Sequence, residues 1–96
     1  MKDYNTTELR KRVSEVLYYV WDPIGVSFAP EARGEYEDYV TQVFEILQRS
    51  EETRELSALL SKIRTEIMGL PENMAKDIKT AQLLQDHKRA VILGLA

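Results

Sequence analysis

The sequence predicts an all-α fold, a small antiparallel bundle of three to four helices. Three observations predict it. Apolar residues recur at i, i+3, i+4 and i+7 spacing in separate stretches, the mark of amphipathic helices. No stretch alternates apolar and polar residues as a half-buried strand does. Glycine and proline are few, four and three respectively, and they fall mostly between the periodic stretches. Ninety-six residues make one domain, taken as 1–96. Helices with short connections are the layer architecture that buries such stripes.

The first helix is predicted over 6–20, "TTELRKRVSEVLYYV", with Leu9, Val13, Val16, Leu17 and Val20 on one face. Asn5 followed by Glu8 forms a capping box, with Thr6 and Thr7 as rival caps. Glu8 and Arg12 are placed for an i,i+4 ion pair. Pro23 pushes its predecessor out of helical geometry, so the helix stops by Trp21 or Asp22. "DPIGVSFAPEARG" then reads as a loop, in which Pro30 suits the first turn of a helix. The second helix is predicted over 33–48, with Tyr36, Tyr39 or Val40, Val43, Phe44 and Leu47 facing inward.

Ser50 is the expected cap of a third helix, and Glu51 and Glu52 suit its positive end. That helix should run to about Met68 on the stripe Leu56, Leu59, Leu60, Ile63 and Ile67, with Gly69 as a left-handed cap before Leu70-Pro71. Between Pro71 and Gly94 the chain has no glycine or proline and should be helical. Here Met74, Ile78, Ala81 and Leu84 hold a stripe that His87, Lys88 and Arg89 interrupt. The closing "AVILGLA" is apolar and leaves three alternatives: docking, fraying, or contact with a second subunit in a homodimer.

Thirteen basic and sixteen acidic residues leave a net charge of -3, which argues against a nucleic-acid partner. The absence of cysteine excludes disulfides, a thiol nucleophile and thiolate-held zinc. Met1 leads into polar residues rather than an apolar run, and no apolar stretch approaches a bilayer span. The expectation is a cytoplasmic chain with no membrane contact.

"WDPIG" at 21–25 reads as a corner: Pro23 presets a turn, Gly25 accommodates a positive φ, and Asp22 bonds backbone N–H groups nearby. Trp21 either covers one end of the core with its indole N–H at the polar edge, or joins Asp22 in a binding site. "WDPIG" at 21–25, "PEA" at 30–32, "GEYEDY" at 34–39 and "MGL" at 68–70 stand in an order that resembles a family of small uncharacterised bacterial helical proteins. The likeness covers roughly residues 10 to 90 and implies an all-helical domain. Some members of that family lie beside toxin genes, which implies an immunity-like role; the resemblance carries over no catalytic residue. Gly34 and Glu37 stand where the family has aspartate, a departure that bears on partner specificity.

Glu31, Glu35, Glu37 and Asp38 crowd the entry to the second helix. They read either as acids solvated at a helix N-terminus or as a contact surface. Tyr36 and Tyr39 beside Glu35 and Asp38 suit a protein interface, and the carboxylates would attract a basic partner. The partner-binding set is thus Trp21, Asp22, Glu35, Tyr36, Asp38 and Tyr39.

A competing reading comes from "EETRE", whose Glu51, Glu52 and Glu55 match the E-E-x-x-E spelling of helical, magnesium-dependent nucleotide pyrophosphohydrolases. The spacing puts Glu51 and Glu55 on one helical face, where their oxygens could share a metal ion. No E-x-x-D motif follows, as such enzymes need. His87 is the single histidine, with no nucleophile motif near it, and no glycine-rich phosphate loop occurs. The expectation is therefore a non-enzymatic protein-interaction module, immunity-like, with no cofactor and no metal; the alternative is the metal-dependent hydrolase.

Overall fold

The computed structural model describes residues 5–21 and 33–94, with side chains from Tyr36 onward in the second stretch. Those residues form four helices and no strand, the predicted all-α bundle. Helix α1 spans Thr6–Glu15 and continues as a π-helical segment over Val16–Trp21. Helix α2 spans Arg33–Arg49. Helix α3 spans Thr53–Lys62 and also widens into a π-helical segment, Ile63–Ile67. Helix α4 spans Met74–Ile92. The loop expected after Trp21, Asp22, and Pro30, expected in the first turn of a helix, lie outside the described residues, as does the side chain of Glu35.

The caps show why the helices start where they do. Asn5 Oδ1 accepts from Glu8 N–H at 2.9 Å, satisfying one of the orphan donors of the first turn. The reciprocal half of the expected box is replaced: the Glu8 carboxylate accepts from Arg12 at 2.9 Å. Ser50 does not cap α3. Its hydroxyl accepts from Glu52 N–H at 3.1 Å, and the helix opens two residues later than expected, at Thr53 with Glu52 as its cap. Asn73 caps α4 by accepting from Lys76 N–H at 3.1 Å. Gly69 takes φ +68°, the left-handed geometry predicted for it, and lets Leu70 N–H reach back to Arg64 O at 2.9 Å.

Helices α1 and α2 run antiparallel: Arg10 Nη2 donates to Thr41 Oγ1 at 3.0 Å near one end, while the Trp21 and Tyr36 rings lie 6.1 Å apart near the other. Helix α4 packs on each of the other three helices. The core they enclose includes Leu9, Val13, Leu17, Trp21, Val40, Val43, Leu47, Leu56, Leu60, Ile63 and Leu84, all essentially without solvent contact. Each such aliphatic side chain stabilises the fold by about 1.5–3 kcal/mol relative to exposure.

The π segment of α1 answers a geometrical demand. Leu9, Val13, Leu17 and Trp21 step by four residues, and a regular α-helix would rotate each step about 40° further from the core. Bonds that close one residue further on widen the turn and hold Trp21 on the inner face. Val20, expected inside, is 47% exposed as a result. In α3 the stripe Leu56, Leu60 and Ile63 is fully buried at regular spacing, and the π segment opens at its end. Arg64 takes the inner position near the end of α3, and Ile67, expected inside, is 54% exposed.

The largest departure is on α4. Met74 and Ile78, expected in the core, are 56% and 38% exposed. The face that packs inward is Asp77, Thr80, Ala81, Leu84, Gln85, Lys88 and Val91. It has regular helical spacing, but four of its seven members are polar or charged. Thr80 meets its own requirement by bonding Lys76 O at 2.8 Å; the charged members need partners from other helices.

Candidate functional site

The residues expected to meet a partner fall into two environments. Trp21 is fully buried, Tyr36 is 2% exposed and Tyr39 is 8% exposed. The rings of Tyr18, Tyr36 and Tyr39 form a chain at 6.2 and 5.7 Å, so these aromatics pack one end of the core. Asp38 faces solvent, as does Glu37, which lies 3.9 Å from Arg10. Of the proposed contact set, therefore, Asp38 is the described side chain on the surface.

Trp21 is one corner of a buried polar cluster that neither apolar periodicity nor motif spelling picks out. Its indole N–H donates to Asp77 Oδ1 at 2.8 Å. Arg64 donates to the same carboxylate through Nη2 at 2.8 Å and through Nε at 3.2 and 3.3 Å to the two oxygens. Its guanidinium carbon also sits 5.7 Å from the centre of the Trp21 ring system, within cation–π range. Asp77 is 1% exposed and Arg64 5%. A buried charge of this kind is tolerated only when paired and hydrogen-bonded, and here both conditions hold. The two π segments supply Trp21 and Arg64, and the first turn of α4 supplies Asp77. The sequence signal was the four-residue step ending at an Arg on an otherwise apolar stripe.

A second polar cluster joins the far part of α4 to the end of α2. Lys88 Nζ donates to Leu47 O at 2.8 Å and Ser50 O at 3.1 Å, and Gln85 Nε2 donates to Ser50 O at 3.1 Å. These carbonyls belong to the terminus that an α-helix leaves unsatisfied, where a cation also complements the helix dipole. Glu51 approaches Lys88 at 3.4 Å from the solvent side. Glu51 also lies ahead of Thr53, where α3 begins, so it does not share a helical face with Glu55 as the hydrolase reading required. Among the described residues, no group of three or more His, Asp or Glu side chains is placed to hold a metal ion.

Between these clusters, Arg12 Nη1 lies 3.3 Å from His87 Nδ1, linking α1 to α4. A guanidinium can only donate, so Nδ1 is the accepting atom in this contact. The hydrogen bond from Arg12 also holds the Glu8 carboxyl below its ordinary range. His87 is thus engaged in packing α1 on α4.

On the outside, α3 and α4 flank an open groove of about 350 Å³. Its α3 wall carries Arg54, Ser57, Ala58, Ser61, Lys62, Thr65 and Glu66; Glu72 precedes α4, which adds Met74, Asp77 and Ile78. The small residues lie beside the buried Leu56–Leu60 stripe, and their size is what leaves the depression open. Asp77 backs the groove while its carboxylate faces Trp21 and Arg64, so the wall is tied to the buried cluster. Among the described residues, no helix is long and apolar enough to cross a membrane. No protein family, curated protein or solved structure matches the chain.

Proposed function

We propose that this chain is a small protein-interaction module that works by binding, with the α3–α4 groove as its contact surface. One observation carries the reading. Helix α4 buries Asp77 and Lys88 while it leaves Met74 and Ile78 in solvent beside a concave surface. That inverts the usual partition of apolar and charged side chains, and exposed apolar groups around a groove are what a docking partner covers. Charged residues at the rim, Arg54, Lys62, Glu66 and Glu72, would set orientation and encounter rate more than affinity. An immunity-like role, implied by the family resemblance, is a specific version of this reading, with the cytoplasm as the location expected from the polar start of the chain. A basic partner patch facing Asp38 would extend the contact onto α2.

The test is a comparison of variants in capture of a mass-spectrometrically identified protein partner. Ile78→Asp changes an exposed groove residue, so melting should move little, within about 0.5 kcal/mol of wild type. It should abolish capture, whereas Asp38→Lys should only slow association. Undiminished capture by Ile78→Asp, with binding lost in Asp38→Lys, would move the working surface to α2. Hydrolysis of a nucleotide by the wild-type chain with magnesium would replace the binding reading altogether.

A further inference from the structure

We infer that the occupant of the groove is a second copy of this chain, laid with its α3 antiparallel on the first across a two-fold axis. The inference rests on the groove reading and names its partner. Its basis is the order of charges along one face of α3. Arg54 and Glu66 both line the groove, one on each side of the small residues Ser57, Ala58 and Ser61. In an antiparallel pair, position i lies opposite position j with i + j constant. Arg54 and Glu66 sum to 120, so their midpoint is position 60, inside the small-residue stretch. A two-fold axis there sets Arg54 against Glu66 of the other copy, and Glu66 against its Arg54. The surface is complementary to itself, which is what an isologous interface requires.

The remaining groups fit the same arrangement. Lys62 and Ala58 also sum to 120, so the long lysine stem crosses the partner where that helix is thinnest. Helix axes pack about 8–10 Å apart, the nearer value needing small side chains at the crossing, which Ser57, Ala58 and Ser61 provide. Met74 and Ile78, on the opposite wall, then lose their solvent contact. Arg54 has a partner within its own chain, Glu52 at 3.5 Å, but both side chains are largely exposed, and such a pair yields readily. Arg54 and Glu66 lie twelve positions apart along the helix, about 18 Å, so the two ion pairs would clamp the ends of the contact rather than its centre.

Sedimentation velocity over a range of concentrations tests this with Arg54→Glu and Glu66→Arg. Each variant alone places like charges opposite each other twice and should weaken self-association by at least about tenfold. An equimolar mixture of the two should form a heterodimer at wild-type strength, because each pair again joins an acid to a base. Both substitutions put the favourable sign at their end of α3, so the fold should survive, and unchanged circular-dichroism melts would confirm it. A monomeric wild type overturns the inference, as do variants that dimerise normally or a mixture that stays monomeric. Ser61→Trp, which fills the groove, separates this failure from that of the functional reading. If the wild type is monomeric and Ser61→Trp loses capture of a different protein, the groove stands with another occupant. If the wild type is monomeric and Ser61→Trp keeps capture, the groove is not the contact surface.

Discussion

Helix α4 buries two charges on the same face and treats them differently. Asp77, in its first turn, meets an opposite charge that is itself buried: the side chains of Asp77 and Arg64 are 1% and 7% exposed. Lys88, about three turns on, meets neutral carbonyls at the end of α2, and its ionic partner Glu51 has a side chain 90% exposed. At the first site each ion is tolerated because of the other, so neither can be removed alone without stranding a charge. At the second the cation completes a helix end, and its removal strands only dipoles. The contrast teaches that the same depth of burial leads to different energetic dependence, according to whether the partner is an ion or a peptide group.

The comparison breaks most visibly at Asp77. Asp77→Ala leaves Arg64 buried and uncompensated and deprives the Trp21 N–H of its acceptor, so urea unfolding should show a loss of about 3–5 kcal/mol. Arg64→Ala should cost a similar amount. The double variant should be less damaging than the sum, with a coupling of about 0.5–3 kcal/mol. Additive losses would mean that the two residues do not act as a pair.

A smaller effect is expected at the other end. Lys88→Met should cost about 1–3 kcal/mol, the penalty of leaving the α2 carbonyls without a donor. Glu51→Gln should stay within about 0.5 kcal/mol of wild type, since its carboxylate is solvated. Equal losses at Lys88 and Glu51 would show that the carboxylate, rather than the carbonyls, holds the ammonium, and the two ends of α4 would then be alike.

The smallest effect belongs to a half-buried ion pair on α1, Glu8 with Arg12, a baseline for both. The Arg12 hydrogen bond depresses the Glu8 carboxyl in the folded chain below its ordinary 4.5. A depressed folded value means that the associated stability is present above the unfolded value and is lost as pH falls through the folded one. Melting temperatures of wild type and Glu8→Gln should therefore differ slightly at neutral pH and converge in acid. A gap that widens in acid would reverse the assignment.

Three of the helices were legible because their inner faces are mostly apolar: Leu9–Val13–Leu17, Tyr36–Val40–Val43–Leu47 and Leu56–Leu60–Ile63 all repeat at helical spacing. The position of α4 was legible from its lack of glycine and proline, but its orientation was not. A hydrophobic pattern weighs Met74 and Ile78 above Asp77 and Lys88, and here tertiary partners reverse that order. Trp21 could be read as a core cover from its place at the end of a stripe, yet its acceptor lies 56 residues away in the chain. No local rule connects the two. Tyr36 and Tyr39 fitted both an inward stripe and an interface; the inward geometry is the one described. The groove escaped notice because the residues that make it, Ser57, Ala58 and Ser61, are conspicuous only for what they do not fill.

The π-helical segment of α1 also bears on how this chain can change length. A π segment behaves as an α-helix that has taken in one residue beyond the usual complement of a turn. Deleting an outward residue there, Tyr19 or Val20, would place the indole three positions after Leu17 instead of four. Ordinary α-helical geometry lays i, i+4 and i+7 on a single face, so Val13, Leu17 and the indole would still line up toward Asp77. A deletion, usually confined to loops, thus has a place inside a helix of this bundle, between Leu17 and Trp21, where one residue can go while the core keeps its register.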